Sequence, residues 1–96
     1  MKPYYFVYII EAIRTSKNNL MDKIFYTGFT DNPNRRLKEH RNKKKSNFMR
    51  TFKILPKRIV YLEQIKGFYN ALKREKEIKK LNKNKKLELI KSYGVI

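Results

Sequence analysis

The sequence predicts an α+β fold, a three-stranded and mainly antiparallel sheet flanked by helices, and three observations carry that reading. Tyr4 to Ile10 is rich in aromatic and β-branched residues and apolar on both alternating faces, the pattern of a central strand covered on both sides. Ile24 to Thr27 and Arg58 to Glu63 repeat the β character in shorter form. Tyr69 to Leu81 holds Ala, Leu, Lys, Arg and Glu with neither Gly nor Pro, the composition of a helix. The expected order is β-β-α-β-α-α without internal repeats, and 96 residues suffice for one domain, residues 1–96, with one modest core.

Each element has a local reason. Glu11 to Lys23 is polar, with Ser16, Asn18 and Asn19, and reads as the long loop of a hairpin between the first two strands. Asp31-Asn32-Pro33 is a helix start: Asn32 can accept a hydrogen bond as N-cap, and Pro33 sits in the first turn, where its missing donor does no harm. That helix is expected to run through about His40. Arg41 to Phe52 reads as an exposed basic loop or frayed helix end, with Phe48, Met49 and Phe52 as anchors. Pro56 excludes a helix ahead of the third strand, and Gly67 punctuates the chain after it. A last helix is expected over Lys85 to Ser92, with Gly94 as its C-cap.

Formal net charge is +17, from 25 Lys and Arg against 8 Asp and Glu. So one-sided a balance repels itself in the folded state and is expected where the partner is a polyanion. Compositional drift toward Lys and Asn is the alternative, but drift alone would leave acidic residues to offset the lysines. With no cysteine, disulfides, thiolate metal sites and thiol nucleophiles are all excluded. The longest apolar run, Tyr4 to Ile10, is too short for a membrane span and lacks a signal-peptide cleavage site. A cytoplasmic protein, free or on the nucleoid, with no membrane partner, is therefore expected.

Four segments then stand out in order: Phe6-Val7-Tyr8, Tyr26-Thr27-Gly28, Arg36-Leu37-Lys38-Glu39-His40, and Arg74-Glu75-Lys76-Glu77-Ile78-Lys79-Lys80-Leu81. Together they resemble the GIY-YIG nuclease superfamily, specifically its branch of small stand-alone endonucleases, over almost the whole chain. The resemblance implies that Tyr8 and Tyr26 are the tyrosines of the two name motifs, Arg36 the family arginine, His40 the histidine four residues on, and Glu75 the metal-binding glutamate. Two departures are visible. Phe6 stands where the first motif has its glycine, and the stretch between Tyr8 and Tyr26 is longer than usual.

Helix geometry bears on two of these assignments independently. At about 100° per residue, Glu75 lies within about 60° of Ala71 and Ile78, whereas Glu77 points to roughly the opposite side. Glu75 is then the carboxylate facing the domain body, where it needs a cation or hydrogen bonds; an ion pair with Arg36 or another base is the plain alternative to a metal. On the first helix Arg36 and His40 share the side of Leu37, and Arg35 points away toward solvent or a phosphate. The tyrosines have an ordinary alternative as core residues with tethered hydroxyls, and His40 as a helix-end surface residue.

The resemblance implies phosphodiester hydrolysis with Mg²⁺ or Mn²⁺ held by Glu75, Arg36 clamping the scissile phosphate, and Tyr26 or Tyr8 taking a proton from the attacking water. A phenol with its usual pKa of about 10 needs nearby cations for that task. Nucleic acid is the expected partner, DNA ahead of RNA, contacted by Arg35, Arg41, Lys43, Lys44, Lys45, Arg50, Lys73, Lys76, Lys80 and Lys83. Such contacts go to phosphates and not bases, so selectivity is expected to follow substrate structure, as at branched, damaged or single-stranded DNA. Two rival readings share these features: a non-catalytic DNA- or RNA-binding module on the same fold, and a basic protein serving ribonucleoprotein assembly.

Overall fold

Val7, Tyr8, Ile9 and Ile10 are four successive residues with at most 2% of their surface exposed, as a strand covered on both faces requires. They lie in β1 (Tyr4–Thr15), the middle strand of a sheet ordered β2-β1-β3. The computed structural model describes residues 2–15, 21–41 and 54–94, with residues 40, 41 and 94 described by their backbone alone. Both neighbours of β1, β2 (Met21–Thr30) and β3 (Ile54–Lys66), run antiparallel to it.

The hairpin arms are longer than the sequence predicts: the β1–β2 ladder continues through Ala12↔Ile24 to Thr15↔Met21, so the predicted loop of 11–23 shrinks to residues 16–20, which lie outside the described residues. The polar stretch stays in the sheet through cross-strand charge. Arg14 pairs with Asp22 directly opposite at 3.5 Å, and Glu11 pairs with Lys23 at 3.8 Å and Arg58 at 3.5 Å. Pairs of this kind contribute roughly 0.2–1 kcal/mol each and substitute for the apolar alternation that marks strands.

β3 also begins earlier than predicted and contains Pro56, which lies opposite Ala12 beside a register shift between Glu11 and Ala12. An edge strand at an irregularity is where a sheet tolerates a missing donor. The register shifts again between Ile9 and Ile10.

The first helix follows its predicted start. Asn32 Oδ1 accepts a hydrogen bond from the Arg35 backbone N–H at 3.1 Å, capping α1 (Pro33–Arg41), and Thr30 Oγ1 accepts from Asn32 N at 3.1 Å. Gly67, at φ 92°, turns the chain into α2 (Phe68–Lys79). This helix ends two residues short of the predicted Leu81. Asn82 then caps α3 (Lys83–Gly94), its Oδ1 accepting from Lys85 N at 2.9 Å, so the last helix starts before Lys85 and runs through Gly94 itself.

Ala71 and Ile78 of α2 pack with Val7 and Ile9 of β1 and with Tyr61, and Leu89 and Ile90 of α3 join them. The alternate residues of β1 face the other way, where Ala12 and Ile54 form a smaller cluster with Ile24 and Tyr26. Thr27, opposite Ile9, is buried with its hydroxyl unpartnered among the described residues. A stranded hydroxyl costs about 1–3 kcal/mol. Thr27→Val is therefore expected to stabilise the protein by about 1 kcal/mol and raise its melting temperature by roughly 4–8 °C, as thermal unfolding followed by circular dichroism would show.

Candidate active site

The β1–β2 register sets Tyr8 opposite Gly28 and Ile10 opposite Tyr26. Residues opposite each other share a face, so the two tyrosines are diagonal neighbours on one side of the sheet. Gly28 has a steric role there: a Cβ at this position would run into the Tyr8 hydroxyl oxygen and come within 2.7 Å of its Cζ. The phenol lies across the glycine, a close approach that only a residue without a side chain permits.

Arg36 reaches the same phenol from α1, its Nε donating to the Tyr8 hydroxyl oxygen at 3.4 Å. Burial pushes the Tyr8 pKa above the usual tyrosine value and outweighs the nearby guanidinium, which favours the phenolate; Tyr26 and Glu75 add to the upward push. The contact with the Tyr8 oxygen raises the Arg36 pKa further. On its other side Arg36 pairs with Glu39 at 3.3 Å, and Glu39 also binds Arg35 Nε at 3.3 Å. Glu39 is thus a positioning residue for Arg36 that the sequence reading passed over, although its i+3 spacing from Arg36 was the available signal.

Glu75 sits on α2 between the buried Ala71 and Ile78, as the helix geometry predicts. Its side chain is only 13% exposed, and its salt bridge at 3.5 Å goes to Lys79, one turn on, and not to Arg36. Glu77 is 52% exposed and binds Arg74 at 3.3 Å. Arg74 in turn grips Glu63 of β3 at 3.1 Å, while the Tyr61 hydroxyl donates to the same carboxylate at 2.5 Å. This strut between β3 and α2 fixes the helix that carries Glu75, and it too went unread in the sequence.

The four groups Tyr8, Tyr26, Arg36 and Glu75 therefore act on one another: the Tyr8 phenol feels all three of the others, and Arg36 also feels Tyr26. His40 and Arg41 lie in α1 by backbone, with their side chains outside the described residues, as are Lys43, Lys44, Lys45, Phe48, Arg50 and Phe52 altogether. Arg35 is exposed but already bound to Asp31 at 2.7 Å and to Glu39. Lys73 and Lys76 are exposed on α2 and Lys80 just past its end. Lys83 stands apart from them, because it opens α3 and does not belong to the Glu75 helix.

Glu75 is the one carboxylate among these four groups, and among the described residues no three His, Cys, Asp or Glu side chains gather in a metal-binding cluster. A hard oxygen donor of this kind fits Mg²⁺ or Mn²⁺, which bind through one or two carboxylates and keep several waters.

With this geometry in view, comparison with known proteins gives the family. The GIY-YIG catalytic domain matches residues 4–88, and the chain belongs to that family, one of nucleases. Its relatives are UPF0213 proteins, a small stand-alone group within it. The chain is 40% identical to the UPF0213 protein of Syntrophus aciditrophicus over 86 residues, covering 90% of this chain and 88% of that one. It is 33% identical to the UPF0213 protein of Staphylococcus aureus strain Mu3, covering 91% and 94% of the two chains. The solution NMR structure of a UPF0213 protein from Bacillus halodurans superposes with a TM-score of 0.51 at 28% identity, covering 96% of this chain and 87% of that one.

Proposed function

We propose that the protein is a divalent-metal-dependent endonuclease that hydrolyses phosphodiester bonds in DNA and selects by substrate structure more than by sequence. The observation that carries this reading is the contact between the Tyr8 phenol and the Arg36 guanidinium within the field of Tyr26 and Glu75. Glu75 would hold Mg²⁺ or Mn²⁺, which when bound supplies positive charge to a phosphate oxygen and to water. Arg36, with a half-exposed guanidinium, clamps the scissile phosphate and offsets the charge that develops on it.

Tyr8 is placed to accept a proton, its oxygen receiving an N–H from a cation. In the protein alone burial moves the pKa of that phenol up, further from neutral pH. Substrate hydrolysis therefore needs the further positive charge of a bound dication, which explains in physical terms why cleavage should depend on the metal. Tyr26 then orients water or phosphate through its own hydroxyl.

The test is cleavage of branched and single-stranded DNA and RNA with Mg²⁺ or Mn²⁺, comparing wild type with Glu75→Ala while binding is followed separately. Activity abolished with binding kept supports a nuclease. A non-catalytic nucleic-acid-binding module on the same fold is the second reading, favoured by the Glu75–Lys79 salt bridge, which already neutralises the one carboxylate of the site. Binding without metal-dependent cleavage of any of these substrates would establish the module instead.

A further inference from the structure

A cavity among the described residues lies away from these four groups, between the outer edge of β2 and the corner joining α2 to α3. Its volume is about 440 Å³. Arg14, Lys23, Lys83 and Lys86 contribute four cations to its lining and Asp22 one acid, a local balance of +3. Ile24, Phe25 and Leu81 supply apolar wall.

A chain this basic has lysines everywhere, so sign alone singles out nothing. What distinguishes this place is Lys86, which is partly buried; burial first, and the nearby Lys79 second, hold its ammonium below the usual lysine pKa. Among the described residues neither Lys83 nor Lys86 forms a salt bridge, and the pairs of Arg14 with Asp22 and Lys23 with Glu11 are long, at 3.5 and 3.8 Å. A partly desolvated ammonium facing other cations is an arrangement that an anion would relieve. The volume exceeds what a bare phosphate needs and suits a phosphate with its sugar and base, within the usual range of roughly 300–1,000 Å³ for small-molecule pockets.

The cavity also connects to the proposed catalytic groups. Lys79 binds Glu75 at 3.5 Å and acts electrostatically on Lys86, and the lining residue Ile24 shares the face of Tyr26 two residues on in β2. Along β1, Arg14 is six residues beyond Tyr8, or roughly 20 Å at ~3.3 Å per residue. One strand of a DNA duplex, advancing ~3.4 Å per nucleotide along the axis, spans that length with about six nucleotides.

We propose that this cavity is a second phosphate site, holding one nucleotide of the strand being cut a few nucleotides from the scissile bond, with Lys83 and Lys86 as its principal ligands. The proposal rests on the nuclease reading for the identity of the strand but not for the existence of the site. It separates the work of the chain into a cutting end and a gripping end, and it predicts a minimum substrate length of about six nucleotides.

The experiment measures binding of a short oligothymidylate by fluorescence anisotropy across a salt series, for wild type, Lys83→Gln/Lys86→Gln, and the control pair Lys66→Gln/Lys91→Gln, which removes the same charge from exposed positions. Removing the two cavity lysines is expected to weaken binding about tenfold and to lower the salt slope by about 0.7 for each phosphate of the single strand no longer neutralised. The control pair should change affinity by less than about twofold. Equal losses of affinity in the two pairs would overturn the site. Amide shifts at residues 22–25 and 83–86 on adding inorganic phosphate give a second reading. Shifts with free phosphate but none with oligothymidylate would overturn the strand assignment. A protein that cleaves nothing yet shows the full difference between pairs keeps the phosphate site and loses the nuclease reading, and a competent nuclease without that difference does the reverse.

Discussion

Gly28→Ala is expected to lower the melting temperature by about 10 °C and to remove most cleavage activity, a larger effect than a single methyl group has at an ordinary strand position. The new Cβ would overlap the Tyr8 hydroxyl and sit 2.7 Å from its Cζ, and Tyr8 is buried in the central strand with little room to turn. Overpacking of this kind costs about 1–3 kcal/mol, and in a domain of this size each kcal/mol moves the midpoint by roughly 4–8 °C. The displaced phenol would also give up its bond to Arg36. In the double variant Gly28→Ala/Tyr8→Phe the hydroxyl clash is gone but the ring contact remains, so stability should return in part and activity not at all. Coupling of that sign in a double-mutant cycle is the check; additive effects, or an unchanged midpoint for Gly28→Ala, would remove the packing argument.

Arg36→Ala is expected to reduce the cleavage rate by about 10²–10³-fold, the range seen when one preorganised donor to a developing negative charge is removed. Affinity for uncleaved DNA should fall far less, because Arg36 supplies one phosphate ligand among many. Arg36→Lys should recover little, since an ammonium lacks the planar fork that can meet both the Tyr8 oxygen and a phosphate. The pH profile gives a separate readout. A phenol acting as base is active only when deprotonated, so the wild-type rate should climb toward tenfold per pH unit below its pKa. Because the Arg36 cation favours the phenolate, its removal should carry that rising limb to higher pH. A variant with wild-type kcat and an unshifted profile would dissociate Arg36 from the chemistry.

Much of this was legible in the residues because the decisive features are local. The α1 cap depends only on Asn32 and the three residues after it, and the orientation of Glu75 depends only on its spacing from Ala71 and Ile78. Tyr8 and Tyr26 were readable as neighbours once the hairpin was assumed, because register alone settles which residues share a face. The strand lengths were not readable, since Glu11, Arg14, Asp22 and Lys23 carry no apolar alternation and declare themselves as strand only when paired across the ladder. The Arg74–Glu63 strut links residues far apart in the chain, and the partner of a charged side chain is not visible without the fold. Glu75 is different: its body-facing position was predictable, and its pair with Lys79 has the local i,i+4 spacing that a helix makes readable.

The central place of β1 has a kinetic corollary. Tyr8 is carried by backbone that is hydrogen-bonded to a strand on either side, so freeing it means breaking two ladders together, an event near the global opening of the molecule. Arg36 belongs instead to a nine-residue helix, a length at which helices have little stability of their own. The proposed catalytic pair thus joins an anchored acceptor to a compliant donor. Amide exchange should be orders of magnitude slower at Tyr8 than at Arg36, and any adjustment of the pair to an incoming phosphate falls to the helix and leaves the strand where it stands.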